Sequence, residues 1–137
     1  MRTISSLRLL FAAVIACLED AGLLVGQGAA EGLPLPYVVA YPMPSGRQDG
    51  NMADPYCVEP YVVQVDCWGE TVEQATWGAD TARVALFAGI TPPAGWSVMH
   101  IAEDVGGGVV RDDDTAGPPA WRAINRYRIW VTPSGSS

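Results

Sequence analysis

The feature that most constrains the fold of this sequence is a strand that leads through a tight turn into a helix. In residues 61–68 the side chains alternate between an apolar phase and a phase that mixes apolar and polar residues. Because both phases are partly apolar, the pattern predicts a strand at the centre of its sheet. Gly69 and Glu70 then turn the chain, and Thr71 and Gln74 have the capping-box spacing of a first helical turn.

That helix is predicted to carry small side chains on the face that meets the sheet. The apolar positions at helical spacing are Val72, Ala75, Ala79, Ala82 and Leu86. Small side chains allow a helix to approach a sheet closely, so strand, turn and helix form one compact unit. The helix is expected to end before Gly89, because Pro92 and Pro93 prevent its continuation.

The periodicity of regular structure recurs in other parts of the chain. An amphipathic helix is predicted for residues 1–22, and strands are predicted for residues 37–41, 96–102 and 123–132. Pro42 and Pro44 are expected to stop the first of these strands. In the last strand Arg126 and Arg128 fall on the face opposite the one that carries Tyr127.

Segments rich in glycine and proline are predicted to be long loops. Residues 42–60 form a long loop or an extended hairpin arm, and residues 103–120 form a loop with a flexible hinge at Gly106–Gly108 and a brief hairpin at Val109-Val110. Residues 133–137 form a flexible tail. The elements together predict an α+β fold in a single domain, residues 1–137, with an antiparallel sheet of about four strands, two helices packed on one face and long inter-strand loops.

The composition excludes several classes of function. The chain of 137 residues has 15 acidic residues against 8 basic ones, all of them arginine, which gives a net charge of −7. Nucleic-acid binding is not expected, because phosphates require a basic surface. No apolar stretch of the sequence approaches the roughly 18 residues that a membrane span requires.

The sequence contains no recognisable catalytic or cofactor motif. Cys17, Cys57 and Cys67 lack the spacing of a zinc site or a disulfide framework. His100 has no nucleophile in a recognisable turn and is interpreted as structural, and Gly106–Gly108 lacks the frame of a phosphate-binding loop. We therefore expect no enzyme activity, no cofactor and no bound metal ion.

The acidic run Asp112–Asp114 has two interpretations. Three adjacent carboxylates are a candidate site for a hard cation in a metal-dependent enzyme, but they repel one another and no other ligand cluster accompanies them. An exposed or interfacial loop is the ordinary interpretation of such a run. The candidate interface residues, which would pair across a subunit boundary, are Arg111, Asp112, Asp113, Asp114, Arg122, Arg126 and Arg128, with Arg47 and Asp49 in the first long loop.

The first 22 residues are open to a second interpretation. Val14-Ile15-Ala16-Cys17 resembles the lipobox that precedes an acylated bacterial cysteine, and it follows a short apolar run. This interpretation makes the chain a secreted lipoprotein or a periplasmic binding module. Against it, Arg8 interrupts the apolar run and Glu19-Asp20 follow at once, and the amphipathic spacing favours a helix of the folded domain.

Two stretches of the chain carry a family resemblance. The first runs from Tyr61 through the predicted helix to Leu86, and the second runs from Arg111 through the three aspartates to the Arg-Tyr-Arg strand that reaches Ile129. Both resemble tail terminator proteins of phages that infect actinobacteria. The resemblance extends to residues 33–39 and to the opening helix, and the acidic run followed by the Arg-Tyr-Arg strand is its most specific part.

The resemblance implies a structural subunit of a virion. Such a subunit forms a hexameric ring on the last ring of the tail tube, halts tube polymerisation and presents a docking face to the neck. The implied partners are further copies of the chain, the major tail tube protein and the neck or head-completion proteins, with genome DNA passing through the lumen. The implied location is the head-proximal end of the tail, after assembly in the host cytoplasm, without membrane contact, catalytic residues or cofactor.

Overall fold

A computed structural model of the chain describes residues 3–28, 34–43, 60–112 and 120–133. These residues form two α-helices and five β-strands. In chain order the elements are α1 (Thr3–Asp20), β1 (Val25–Gln27), β2 (Tyr37–Met43), β3 (Pro60–Gly69), α2 (Val72–Ala88), β4 (Trp96–Asp112) and β5 (Ala120–Pro133). The mixed α+β class predicted from the sequence is confirmed.

The five strands form one sheet in the order β1-β2-β3-β5-β4. The β2–β3, β3–β5 and β5–β4 pairs are antiparallel, and β1 pairs with β2 in parallel. The central position predicted for β3 is therefore confirmed, whereas the prediction of about four strands understates the sheet. The strand that was missed, β1, is only three residues long, which is too short to show an alternating pattern.

Helix α1 is amphipathic, as its spacing predicts. Leu10, Val14 and Leu18 are buried, and Arg8 lies on the exposed side. The helix ends at Asp20, and Gly22 follows with a φ of 91°, a left-handed conformation that suits glycine at a helix C-terminus. No helix among the described residues is long and apolar enough to cross a membrane.

Helix α2 begins with the predicted cap. The Gln74 amide donates to Thr71 Oγ1 at 3.1 Å, and Gln74 Oε1 accepts from the Glu70 amide at 2.8 Å, one residue earlier than in the usual capping box. The helix ends at Ala88 before Gly89, as expected. Of the predicted core positions, Ala75, Ala82 and Leu86 are buried and Ala79 is partly buried, but Val72, the first residue of the helix, is 40% exposed.

The hydrophobic core lies between the helices and one face of the sheet. Helix α2 packs chiefly on β3 and β5, and α1 packs against α2 and β1. Helix α2 passes close to β3 at Gly78, where an added Cβ would lie 3.2 Å from Cys67 Cβ. The largest fully buried side chains on this face are Tyr127, Leu10, Leu18, Leu86 and Ile129, and burial of such side chains is the main stabilising term of a small domain.

The second predicted loop is wrong for residues 103–112. Strand β4 runs from Trp96 to Asp112, passes through Gly106–Gly108 and stays paired with β5 up to Ala120. Its register shifts between Val98 and His100, between Glu103 and Gly106, and between Gly106 and Val109. β-Bulges absorb residues that do not fit the ladder, and glycine tolerates the local bending. The glycines that predict a hinge are therefore part of an irregular strand.

The end of β2, which the prolines predict at Tyr41, is also wrong by two residues. Pro42 lies inside β2, opposite Val63, and the strand continues to Met43. Strand β1 reaches only Ala40 on the other side of β2, so at Pro42 β2 has a neighbour on one side only, where proline is tolerated. The predicted loop at residues 44–59, the loop at 113–119 and the tail at 134–137 lie outside the described residues.

Candidate functional site

The candidate site is the sheet face opposite α1 and α2, which we call the helix-free face because no helix of the described ranges lies on it. Alternation along β2, β3 and β5 places one residue of each strand in every cross-strand row. The rows are Tyr37–Trp68–Arg122, Val39–Asp66–Ile124, Tyr41–Gln64–Arg126 and Met43–Val62–Arg128. This face combines arginine and aromatic side chains with a buried carboxylate.

A chain of polar contacts connects β3 to β5 at the centre of this face. Gln64 Nε2 donates to Asp66 Oδ1 at 3.0 Å, and Arg126 Nε donates to Gln64 Oε1 at 2.9 Å. Arg122 Nη1 lies 3.9 Å from Asp66 Oδ2. Gln64 therefore holds the carboxylate with one end of its amide and an arginine with the other, which fixes the positions of all three side chains.

Of the acidic residues whose exposure the structure describes, only Asp66 is buried, with 1% of its surface exposed. Burial raises the pKa of Asp66, while the Gln64 hydrogen bond and the charges of Arg122 and Arg126 lower it. The net result is a raised pKa, because burial disfavours the charged carboxylate by more than the hydrogen bond and the two arginine charges favour it. The carboxylate also contributes, after burial itself, to the raised pKa of Tyr41 in the neighbouring row.

The Arg122 guanidinium lies over one ring of an aromatic pair. Its Cζ lies 5.2 Å from the centroid of the Trp68 ring, a cation–π geometry. The Tyr37 ring stacks on Trp68, with 6.1 Å between the two ring centroids. Arg122 Nε is buried and has no hydrogen-bond partner within the described segments. Stacking therefore positions this arginine more than hydrogen bonding does.

The other two arginines of the helix-free face, Arg126 and Arg128, present their charged ends to solvent. Arg126 is exposed, and the Arg128 side chain is 45% exposed with Nε 3.4 Å from Asp104 Oδ1 on β4. Next to them, the rings of His100 and Trp130 lie 5.3 Å apart. The described part of this face thus carries three arginines against Asp66 and Asp104, although the whole chain has a net charge of −7.

The structure brings together only some of the residues predicted for the interface. Arg122, Arg126 and Arg128 lie on the helix-free face, as the strand periodicity predicts. Arg111 lies opposite Trp121, a residue of the other face, and the Asp112 backbone closes β4 opposite Ala120. Arg47, Asp49, Asp113 and Asp114 lie outside the described residues.

Sequence reasoning missed the residues that hold the arginines in place. Gln64 and Asp66 occupy the polar phase of a central strand, and Tyr37 and Tyr41 occupy one phase of β2. The available signal was an acidic residue in a strand predicted to lie at the centre of its sheet, since a buried carboxylate requires a partner. The pairing of β3 with β5, which supplies that partner, does not follow from the sequence order.

Metal-ligand clusters and cysteine thiols are the other groups of the described residues that bear on the sequence predictions. No group of three or more potential metal ligands occurs among them, although this leaves out Asp113 and Asp114. The Cys67 thiol is buried, and burial raises its pKa to about 12, so it is protonated and a poor nucleophile. No protein-family model matches this sequence, and no curated protein is significantly similar to it.

Proposed function

We propose that this chain is a structural subunit of a phage tail, a tail terminator that caps the tail tube as a ring. It stops tube polymerisation and forms the interface at which the tail joins the neck. The family resemblance of residues 61–86 and 111–129 motivates this proposal, and the composition of the helix-free face supports it. The chain performs no catalysis in this role.

The observation that carries the proposal is the set of arginine and aromatic side chains on the helix-free face. Arginine and aromatic residues are enriched at protein interfaces, where they supply most of the binding free energy. Arg126 is held by Gln64 at 2.9 Å and Arg122 is held against Trp68. Side chains that are already ordered lose less conformational entropy when a partner binds, so this face is prepared for a protein partner.

The proposed partners are further copies of the chain in a homohexamer, the tail tube protein and the neck proteins. The excess of arginine on the helix-free face favours partner surfaces that carry carboxylates. The net charge of −7 per chain is repeated in every subunit of a ring, so the ring repels phosphates and lets DNA pass through its lumen without binding. The proposed location is the head-proximal end of the tail.

Electron microscopy of the purified protein, alone and mixed with tail tubes, tests the proposal. We expect rings, and we expect tubes of uniform length with the protein bound at one end. Tubes assembled without the protein are the control and are expected to vary in length. Tubes that keep growing in the presence of the protein, with no density at their ends, contradict the proposal.

The second candidate function is a secreted lipoprotein or periplasmic binding module, which Val14-Ile15-Ala16-Cys17 favours. Cleavage before Cys17 would remove Leu10, Val14 and Ile15, all three of which belong to the hydrophobic core. This packing supports the first candidate over the second. The intact mass of the protein from its native source separates them, because a mass that includes residues 1–16 rules out processing at Cys17.

A further inference from the structure

The buried carboxylate of Asp66 is a costly group for a central strand. Its side chain is removed from water with one hydrogen bond from Gln64 and an ion pair of 3.9 Å in return. An apolar side chain at this position would avoid the cost of desolvation. A buried ionic group that adds little net stability can instead fix the positions of its partners. The partners here are Gln64 and, through it, Arg126.

The hydrogen bonds between Arg126 and Asp66 run in one direction only. The Arg126 guanidinium has donors and no acceptor, so the Gln64 amide must turn Oε1 towards Arg126 Nε, which donates to it at 2.9 Å. Gln64 Nε2 then faces Asp66 and donates to Oδ1 at 3.0 Å. Because neither end of the amide can exchange its role, Gln64 has a single orientation.

This chain of hydrogen bonds leads from the interior of the domain to its surface. Asp66 is 1% exposed and lies on β3, which has β2 on one side and β5 on the other. Gln64, two residues away on the same strand, is partly buried, and Arg126 is exposed. The exposed guanidinium is therefore anchored to a buried group of the central strand.

The outer end of the Arg126 guanidinium is left to bind a partner. Its Nε donates to Gln64, whereas Nη1 and Nη2 form no hydrogen bond or ion pair within the described segments. Two neighbouring guanidinium nitrogens form a planar fork that binds both oxygens of one carboxylate. The fork of Arg126 has the right donors for such a group.

The charges of the helix-free face also favour a carboxylate at this position. Arg122 lies 3.9 Å from Asp66, and Arg128 lies 3.4 Å from Asp104. Arg126 is the arginine of this face that forms no ion pair within the described segments, so a partner's negative charge complements it. A nucleic acid is disfavoured, because a row of phosphates would also meet the two aspartates and a chain of net charge −7.

We infer that Arg126 is the receptor for a carboxylate of a partner protein, and that Gln64 and Asp66 are the positioning residues that present its Nη1 and Nη2. The inference rests on the proposed role of the helix-free face as a protein interface. It adds the atoms that recognise the partner and the chemistry of the group that they bind. An arginine that is already held loses less conformational entropy on binding, so recognition depends on its anchor as well as on its charge.

A titration of the wild-type protein with hexaglutamate, followed by the side-chain NMR signals of the arginines, tests the recognition. We expect the Arg126 signals to shift and to saturate, and the signals of Arg8, which lies on α1 on the other side of the sheet, to stay in place. Hexaglutamine is the uncharged control, and a single-stranded thymidine hexanucleotide tests binding of phosphates. Hexaglutamate that leaves the Arg126 signals unchanged overturns the inference, as does tighter binding of the nucleotide.

Two substitutions separate the fork and its anchor from the charge. Arg126→Lys keeps the charge and loses the fork, so we expect binding of hexaglutamate and capping of tail tubes to weaken about tenfold. Gln64→Met keeps the length of the side chain and loses both hydrogen bonds, and we expect both activities to weaken about two- to tenfold. Because Gln64 acts through Arg126, the double variant is expected to bind as Arg126→Lys does.

Arg8→Lys is the matched control and is expected to behave like the wild type, while circular dichroism checks that every variant is folded. Equal binding by Arg126→Lys and the wild type overturns the role of the fork. A double variant that binds more weakly than Arg126→Lys overturns the positioning role of Gln64. Tubes that Arg126→Lys caps as well as the wild type does also overturn the inference but leave the proposed function intact. Wild-type protein that binds hexaglutamate through Arg126 and caps no tubes contradicts the proposed function alone.

Discussion

Asp66 and Arg122 lie diagonally across the β3–β5 pair, with 3.9 Å between Asp66 Oδ2 and Arg122 Nη1. The Asp66 side chain is 2% exposed and the Arg122 side chain 33% exposed. The carboxylate is therefore in a site of low polarity, while the guanidinium reaches solvent past Trp68. A half-buried pair of this kind contributes little net stability by itself, but removal of one partner leaves the other poorly solvated.

Substitution of Asp66 by Ala is expected to reduce the free energy of unfolding by about 1–3 kcal/mol. The reason is that Gln64 loses its acceptor at 3.0 Å and Arg122 loses its counter-charge. The solvent exposure of Arg122 keeps the loss below that of a fully buried pair. Urea unfolding followed by tryptophan fluorescence measures the difference.

Asp104→Ala is the matched control for that experiment. Asp104 also pairs with an arginine on β5, at 3.4 Å, but its side chain is 32% exposed and that of Arg128 is 45% exposed. An exposed pair contributes about 0–1 kcal/mol, so the control is expected to lose less stability than Asp66→Ala. Equal losses in the two variants would show that burial of Asp66 has no energetic consequence.

The pKa of Asp66 predicts a pH dependence of stability. Burial raises this pKa above the ordinary value of 3.8, so the folded protein holds the proton more tightly than the unfolded chain. The contribution of Asp66 is then most favourable below the unfolded pKa and declines as pH rises through the folded pKa. We expect the stability difference between wild type and Asp66→Asn to shift in favour of Asn between about pH 3 and about pH 7. Urea titrations across this range measure it, and a shift in favour of the wild type contradicts the burial argument.

Two glycines in the β3–α2 unit are expected to differ in their tolerance of a methyl group. At Gly69 an added Cβ would lie 2.6 Å from the backbone nitrogen of Ala75, which cannot move without distorting the start of α2. At Gly78 it would lie 3.2 Å from Cys67 Cβ, a smaller overlap. Gly78→Ala also gains about 1 kcal/mol of helix propensity.

Gly69→Ala is therefore expected to cost about 1–3 kcal/mol, as overpacking does, and Gly78→Ala is expected to be close to neutral. Thermal unfolding of the two variants and the wild type gives the order of their stabilities. A Gly78→Ala variant that is less stable than Gly69→Ala would show that the contact between α2 and Cys67 is tighter than the contact at the turn.

The sequence predicts those elements of the fold whose signals are local. The Thr71–Gln74 cap, the end of α2 at Gly89 and the two faces of β5 all follow from residues near one another in the chain. Strand β4 was predicted only in part, because its bulges shift the phase of the side chains and its glycines are typical of loops. Alternation cannot be recognised in a strand whose register changes three times.

The candidate site was predictable to the extent that it lies on one strand. The alternation of β5 places Arg126 and Arg128 on a common face, but the partners of these arginines come from β3 and β4. Residues 64 and 126 are separated by 62 positions, and their contact depends on β5 inserting between β3 and β4. Strand order of this kind is set by packing of the whole domain rather than by any local pattern.

An exchange of charges between Arg128 and Asp104 separates an intersubunit role of Arg128 from an internal one. Arg128→Glu alone places two carboxylates side by side, whereas Arg128→Glu combined with Asp104→Arg restores an opposite-charge pair within the subunit. The double variant is expected to match the wild type within about 0.5 kcal/mol, as exposed surface changes do. The positive and negative charges of this one pair have nevertheless exchanged places on the helix-free face.

If a partner protein binds to the positive charge of Arg128, the double variant remains defective in capping tail tubes although its stability is normal. Electron microscopy of tube ends, combined with thermal unfolding of the same samples, makes both comparisons. Restored capping in the double variant would mean that Arg128 acts only through Asp104, and the proposed contact would then rest on Arg126, whose guanidinium has no acidic partner within the described segments. Arg126→Glu would in that case be the variant that abolishes capping, because within the described segments its guanidinium is hydrogen-bonded to the neutral Gln64 and forms no ion pair.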